Sequence, residues 1–278
     1  MKGSHEVCVA GLGTIGLPTA VYMMNHGVSV RGYDINKSAV ERARASGVEA
    51  STSPHLLASG TVVICVNTFV NGVRVDIGPV EDVIERVSRH GSLARRLVSI
   101  ESTMPPGTSR ALYHKLLGPK FHLVHVPNRY WSGDPRNHGV RQPRVIGGID
   151  KSSLSAGIEL YSKRLGIPLH SASSLEVAEV SKVLENAYRY VQIAFAEEAR
   201  TMLDRIGMDF AEVRSLSNTK WNIVVPEARA GIAGGCLPKD IRFFAALKGL
   251  HPLIDGAMET DRVYRSRHAK TGMGNRKA

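Results

Sequence analysis

The chain has 278 residues, 36 Lys and Arg against 25 Asp and Glu for a formal net charge of +11, and 43% hydrophobic and 22% charged residues. That is ordinary globular usage, and it excludes a wholly disordered or collagen-like chain. No apolar run reaches the roughly 18 residues of a membrane span. The cysteines Cys8, Cys65 and Cys236 form no CxxC pair, which argues against a metal ribbon or a disulfide framework. The N-terminus has no charged-then-apolar leader, so a cytoplasmic location is expected. The basic balance suits phosphate-bearing small molecules. Nucleic acid is disfavoured because aromatics are 6% of the chain and no basic stretch is interleaved with them.

In chain order, Glu6–Gly11 reads as a buried strand and Leu17–His26 as a helix. Val28–Tyr33 is a second strand ending at Asp34, and Lys37–Ser46 a second helix. Thr61–Val66 is a β-branched strand, followed by a helix over Val80–His90 with Val80, Val83, Ile84 and Val87 at the 3.6-residue period. Leu97–Glu101 and His122–Val126 are strands flanking a helix over Thr108–Leu117. Strands alternating with helices predict a mostly parallel sheet covered on both faces. Ser174–Ile206 is helical without Gly or Pro, a rod of about 45–50 Å. A glycine-rich loop, Ala230–Gly235, and another helical stretch after Asp240 follow. The basic tail from Arg262 to Lys277 reads as a solvated or frayed end.

Gly11-Leu12-Gly13-Thr14-Ile15-Gly16 fits GxGxxG, follows a predicted strand, opens a predicted helix, and has Asp34 about 20 residues on. Gly11 permits the turn, Gly13 lets a pyrophosphate approach, and Gly16 packs helix on strand, while the helix N-terminus around Thr14 and Ile15 offers free N–H groups. Asp34 suits the ribose hydroxyls of NAD and would repel a 2′-phosphate; Arg31 and Lys37 nearby oppose that reading. A ligand-free glycine turn is the alternative.

Cys236 lies in GGCLPKD after a run of small residues, where a sulfur can stand close to a ligand, and Lys239 would favour its reactive thiolate form. The alternative, a buried structural cysteine, fits Cys8 and Cys65. Lys182 and Asn186 share a helix face, either to polarise an alcohol or carbonyl oxygen or simply to meet solvent. Glu101-Ser102-Thr103 closes a strand where open α/β sheets bind ligands, so Thr103 is a candidate contact or part of a plain turn.

GLGTIGLPTA, ESTMPPGT, RVIGG at 144–148, KVLENAYR at 182–189 and GGCLPKD together resemble the UDP-glucose/GDP-mannose dehydrogenase family, nearest to its UDP-N-acetylmannosamine branch. The resemblance implies NAD-dependent oxidation of a primary alcohol to a carboxylate through a cysteine thiohemiacetal and thioester. It implies Cys236 as nucleophile, Lys182 and Asn186 at the oxyanion, Asp240 orienting water or a proton relay, Thr103 holding water or substrate, and Thr68 and Lys239 beside the cofactor. Glu101 and Asn128 are substrate-side candidates. Three departures stand out. Asn128 replaces the family's glutamate, Asn67-Thr68-Phe69 replaces Pro-Thr-Pro, and the chain stops short of the family's C-terminal nucleotide-sugar domain.

The expected architecture is a Rossmann-type doubly wound parallel sheet over residues 1–172, then an all-helical domain with one long helix over residues 173–278. A homodimer through the long helix is expected to bury Val180, Leu184, Val191 and Phe195. Two other readings stay open: a two-electron dehydrogenase of the β-hydroxyacid type, which does not need Cys236, and a non-catalytic NAD-binding module.

Overall fold

The computed structural model describes residues 6–71, 74–89 and 95–274. The chain forms two compact units that divide between Lys182 and Val183.

The first unit runs β1 (Val7–Ala10), α1 (Gly16–Asn25), β2 (Val30–Tyr33), α2 (Lys37–Ala45), β3 (Glu49–Ser51), β4 (Thr61–Ile64), β5 (Phe69–Asn71), β6 (Arg74–Asp76), α3 (Gly78–Ser88), β7 (Arg96–Ile100), α4 (Thr108–Leu112), β8 (Phe121–His125), β9 (Arg144–Gly148), α5 (Lys151–Ile158) and β10 (Leu169–Ser171). Eight strands form one sheet in the order β10-β9-β8-β7-β4-β1-β2-β3, and β5 and β6 form a separate hairpin. All sheet pairings are parallel except β8 with β9, where Val124 faces Gly148.

The period-2 alternation of β1 explains why helices lie on both faces. Val7 and Val9 point into a core shared with Ala20 and Met23 of α1 and Val40 and Ala43 of α2. Cys8 and Ala10 point into another core, shared with Val80, Val83, Ile84 and Val87 of α3. Burying both faces is what continuous Val/Ile runs favour in parallel strands.

The helix expected over Thr108–Leu117 is α-helical only through Leu112 and continues as a π-helical turn from Tyr113. Its start is fixed by Gly107, whose φ of +84° suits a residue without Cβ. The buried Glu179 carboxylate accepts the Gly107 and Ser109 N–H groups at 2.6 and 2.8 Å, placing negative charge at that helix start.

The long helix α6 (Leu175–Arg205) begins in the first unit and continues into the second. The second unit then adds α7 (Phe210–Ser217), α8 (Cys236–Ala245) and α9 (Pro252–Gly274). Ala187, Tyr190 and Ala194 of α6 pack with Ile232, Ile241 and Ala257 in one of its cores. Two sequence expectations change here. The helix expected after Asp240 starts at Cys236 itself, and the tail read as a solvated or frayed end from Arg262 is helical through Gly274, with Arg262, Arg265 and Arg267 exposed. Arg262 pairs with Glu259 and Arg265 with Asp261 on that helix, i,i+3 and i,i+4 pairs along one turn. His90 and residues 275–277 of the expected elements lie outside the described residues. No helix among the described residues is long and apolar enough to cross a membrane.

Candidate active site

At the carboxyl end of β1 the glycine positions match their proposed jobs. Gly11 has φ +91°, and a Cβ there would lie 2.8 Å from the Cys65 carbonyl. A Cβ at Gly16 would stand 1.7 Å from the Gly11 oxygen, so only glycine lets α1 pack this closely. Gly13 is different: nothing lies within 4 Å of where its Cβ would be. The protein itself therefore does not require a glycine at 13, whereas a pyrophosphate approaching the backbone would. The start of α1 has no side-chain cap; the Leu17 and Thr19 N–H groups bond the Gly13 and Ile15 carbonyls and Pro18 has none, so the amides at Thr14, Ile15 and Gly16 are the ones that can meet an anion.

Asp34 ends β2 with Oδ2 accepting the Leu12 N–H at 2.7 Å and Oδ1 accepting the Asn36 N–H at 2.8 Å. The carboxylate thus ties the glycine turn to the second strand. Arg31, which weighed against NAD in the sequence, donates to Ser59 Oγ at 3.0 Å. This crevice fits NAD: a glycine cradle with room, an uncapped helix start and an acid at the second strand end. Gly13→Ala is expected to weaken NAD binding by about tenfold or more, a little over 1.4 kcal/mol. Its melting temperature should stay within a degree or two of the parent, because the new methyl meets no protein atom. Isothermal titration with NAD beside a thermal scan checks both.

Thr68 and Thr103 follow β4 and β7. The buried Thr68 donates its hydroxyl to the Thr103 carbonyl at 2.9 Å, joining the two strand ends while the Thr103 side chain stays half-exposed. The two substrate-side candidates, Glu101 and Asn128, lie together in one buried cluster. Glu101 is 3% exposed and its Oε1 lies 2.9 Å from Nη1 of the buried Arg144, an ion-pair contact off the line of a hydrogen bond. Tyr161 OH donates to the same oxygen at 2.8 Å, and Asn128 Nδ2 donates to Oε2 at 2.7 Å. Asn128 Oδ1 accepts the Tyr130 N–H at 2.7 Å, so both ends of this buried amide are engaged. Both side chains are thus engaged in a buried network. Cys65 completes the cluster with a weak Sγ contact to Glu101, and burial together with that carboxylate pushes its thiol well up. Burial likewise lifts the Cys8 thiol to about 12.

In the second unit, Cys236 is the first residue of α8 and is exposed. Asp240 lies one turn on, 1% exposed, and holds two groups: Asn186 Nδ2 on Oδ2 and Lys239 Nζ on Oδ1, each at 2.5 Å. Lys239 also lies 4.3 Å from the centre of the Phe243 ring. Lys239, expected beside Cys236 or the cofactor, here sets its charge against Asp240 and an aromatic face on its own helix. Lys182 is half-buried and makes no hydrogen bond or ion pair with other described residues. Among the described residues no cluster of three or more His, Cys, Asp or Glu could hold a metal.

Sequence reasoning missed Arg144 and Tyr161, which hold Glu101, and Asp261, which binds Tyr190 and the Ile232 amide. Arg144 carried a usable signal, since a cation opening the apolar run Arg144–Gly148 needs a buried counter-charge. Asp261 carried none, being one acid among several on a charged helix.

The NAD-binding domain of the UDP-glucose/GDP-mannose dehydrogenase family matches residues 41–165, and the family's central domain matches residues 176–260. A UDP-N-acetyl-D-mannosamine dehydrogenase of Methanococcus maripaludis is 29% identical over 91% of this chain and 64% of its own length. The Pyrococcus horikoshii enzyme of the same name is 31% identical over 84% of this chain and 62% of its own length. A solved UDP-D-ManNAc dehydrogenase structure from Pyrococcus horikoshii superposes with a TM-score of 0.83 at 28% identity, covering 93% of this chain and 68% of that one. The chain thus spans somewhat under two thirds of these two curated relatives. Two domain matches in family order, on a fold shared with a family structure, make the chain a member of the UDP-glucose/GDP-mannose dehydrogenase family.

Proposed function

We propose that the chain takes part in the NAD-dependent oxidation of a nucleotide-sugar primary alcohol, of the UDP-N-acetylmannosamine type, to the carboxylate. The observation that carries this reading is the exposed Cys236 at the start of α8, one turn before the buried Asp240 held by Asn186 and Lys239. A reading without covalent chemistry gives that thiol no task.

NAD, held by the glycine turn and Asp34, supplies the chemistry of accepting one hydride from the reacting carbon in each of two rounds. Cys236 acts on the aldehyde between the rounds. Its sulfur bonds to the carbonyl carbon and its proton passes to the carbonyl oxygen, giving a thiohemiacetal. Loss of the second hydride and a proton leaves a thioester. Water then forms the new C–O bond as the C–S bond breaks, returning the thiol and releasing the acid. Lys182 and the Asn186 amide would stabilise the oxygen as it gains negative charge, and Asp240 keeps Asn186 oriented. Thr103 would hold water or the substrate hydroxyl. The balance is one alcohol, two NAD+ and one water to one carboxylate, two NADH and three protons.

The test is stoichiometry. With limiting UDP-N-acetylmannosamine, NADH release should reach two per sugar, with the uronate confirmed by mass. One NADH per sugar would instead favour a two-electron dehydrogenase. Asn128 gives that second reading its support, because a buried amide bonded at both ends cannot take a proton from the hydrolytic water.

The partner proposed is a second copy of the chain, bound through α6. Leu184, Tyr188, Phe195, Met202 and Ile206 are 48–66% exposed and recur at spacings of four and seven, which places them along one flank of the helix. Leu184 and Phe195 keep their proposed role. Val191 does not, because it packs into its own unit's core, and Val180 is half-buried. An exposed apolar stripe of this length is costly in water for a monomer. Sedimentation at micromolar concentration should give a dimer, and Phe195→Glu should shift it toward monomer.

A further inference from the structure

The glycine loop that leads to Cys236 is fastened at its base and free at its end. Arg200 Nη1 donates to the Ala228 carbonyl at 2.8 Å, and Tyr264 OH donates to the Arg229 carbonyl at 2.8 Å. The Ile232 N–H donates to Asp261 Oδ1 at 2.8 Å, and the Ile232 side chain is buried. Beyond that point Gly234 (φ +88°) and Gly235 have no atom within 4 Å of a notional Cβ. Ile232, held by Asp261, is thus the last of these anchored residues before the nucleophile, four residues ahead of it.

Asp261 is itself held on several sides. Its Oδ2 accepts the Tyr190 hydroxyl at 2.9 Å, and Arg265 donates Nε and Nη2 to the same carboxylate. Gly231 (φ +105°) lies so close to Arg265 that a Cβ there would sit 2.3 Å from Cγ. The loop, α6 and α9 therefore meet at one buried carboxylate.

Against this anchor stands Glu197 of α6. It is fully buried, and neither carboxylate oxygen has a hydrogen-bond partner among the described residues. The groups that face it are Asp261, Tyr264 and Arg265 from α9 and Tyr190 from its own helix. Arg200, one turn on, is turned to Ala228 and Asp204. Glu197 as a neutral acid leaves Asp261 the sole negative charge beside Arg265. Glu197 as a carboxylate makes two buried anions share one cation.

We propose that Asp261 is a positioning residue for Cys236, fixing the base of the glycine loop through the Ile232 amide, and that the protonated form of Glu197 keeps this latch closed. The role for Cys236 rests on the proposed function; the latch does not.

The sign of the pH effect follows from burial. Burial, with Asp261 adding to it, raises the Glu197 carboxyl to about 7. On this proposal an opened latch admits water to Glu197 and returns it to the ordinary glutamate value. The closed form then loses ground as pH rises from that value to about 7, by at most about tenfold per pH unit, and levels off above.

Hydrogen exchange of the 278-residue chain reads this directly. Protection of the peptide spanning 230–238, corrected for intrinsic exchange, should fall between pH 5 and pH 7.5 and then flatten. Glu197→Gln should remove the pH dependence. Asp261→Ala should lose the protection at every pH, and Asp261→Asn, which keeps an acceptor for the Ile232 N–H, should restore most of it. In sugar oxidation, Asp261→Ala should lower kcat with KM for NAD unchanged, and Asp261→Asn should recover most of kcat. Protection that is flat with pH in the parent, or unchanged in Asp261→Ala, overturns the proposal. If Asp261→Ala fails to fold, the Glu197→Gln and Asp261→Asn curves still decide. The exchange measurements need no turnover, so a protein with the latch but without oxidation would overturn the function reading alone.

Discussion

Cys236→Ala is expected to abolish carboxylate formation, lowering its rate by about a thousandfold or more, about 4 kcal/mol of lost transition-state stabilisation. The first hydride transfer needs no thiol, so the variant should still turn alcohol to aldehyde. That step lies far toward alcohol at neutral pH and shows as net NADH only when semicarbazide traps the aldehyde. The parent should give two NADH per sugar without the trap; the variant should give one with it and almost none without. The side chain is exposed, so stability should change by no more than about 0.5 kcal/mol. Acid released by Cys236→Ala at the parent rate would remove the thioester route. Aldehyde as the sole product of the parent would move the chain to the two-electron reading.

The same variant series separates chemistry from architecture around Asp240. Asn186→Ala removes a bond to a carboxylate that is 1% exposed, and Lys239 then remains as its charged partner. Asp240 therefore stays satisfied electrostatically, and the expected loss is the amide itself as a donor to the developing oxyanion, read as a lower kcat with little change in melting temperature.

Much of the first unit could be read directly from residue types. Buried parallel strands advertise themselves as β-branched runs, and Val7–Ala10, Thr61–Ile64 and Arg96–Ile100 each lie within a few residues of their expected limits. The glycines declared themselves because each has a geometric reason to lack a side chain. The hairpin β5–β6 and the short strands β3 and β10 were not legible. Each has only three residues, too few for a period to show, and β3 and β10 take their pairing from β2 and β9, across an intervening helix. β9 was quoted as a motif yet not read as a strand, since the pairings that make it one are a parallel contact with β10 and an antiparallel one with β8. In the second unit the rod was plain from a long run without Gly or Pro. α7 was missed, and the register of α8 on its glycine loop was misplaced by four residues. The start at Cys236 follows Gly235 without a side-chain cap, so no capping residue marks it. For the candidate site, sequence supplied the residue types, but the partners had to come from coordinates. Glu101 and Lys239 looked available because a sequence shows charges without showing what neutralises them.

That distinction gives the largest stability effect expected outside the chemistry. Arg144→Met should destabilise the first unit by about 3–5 kcal/mol, because it strands the Glu101 carboxylate in the core. The Arg144 and Glu101 side chains are 1% and 0% exposed, and Tyr161 OH and the Asn128 amide remain as neutral donors that solvate the charge only in part. Glu101→Gln should also destabilise, by leaving the guanidinium without a counter-charge. The double variant Arg144→Met/Glu101→Gln should recover part of the loss, since removing both charges avoids the uncompensated one. Thermal unfolding followed in the first unit should show the Arg144→Met transition about 10 °C lower, with the double variant between it and the parent. Restoring the family's glutamate at 128 should fail as a repair. Asn128→Glu would set a second carboxylate where an amide donates to Glu101 Oε2 at 2.7 Å, forcing one acid to stay protonated or the pair apart. If Asn128→Glu instead matched the parent in stability and raised the rate of acid release, position 128 would have to reach the reacting water after all. The amide would then be a loss of catalytic function rather than part of the buried network.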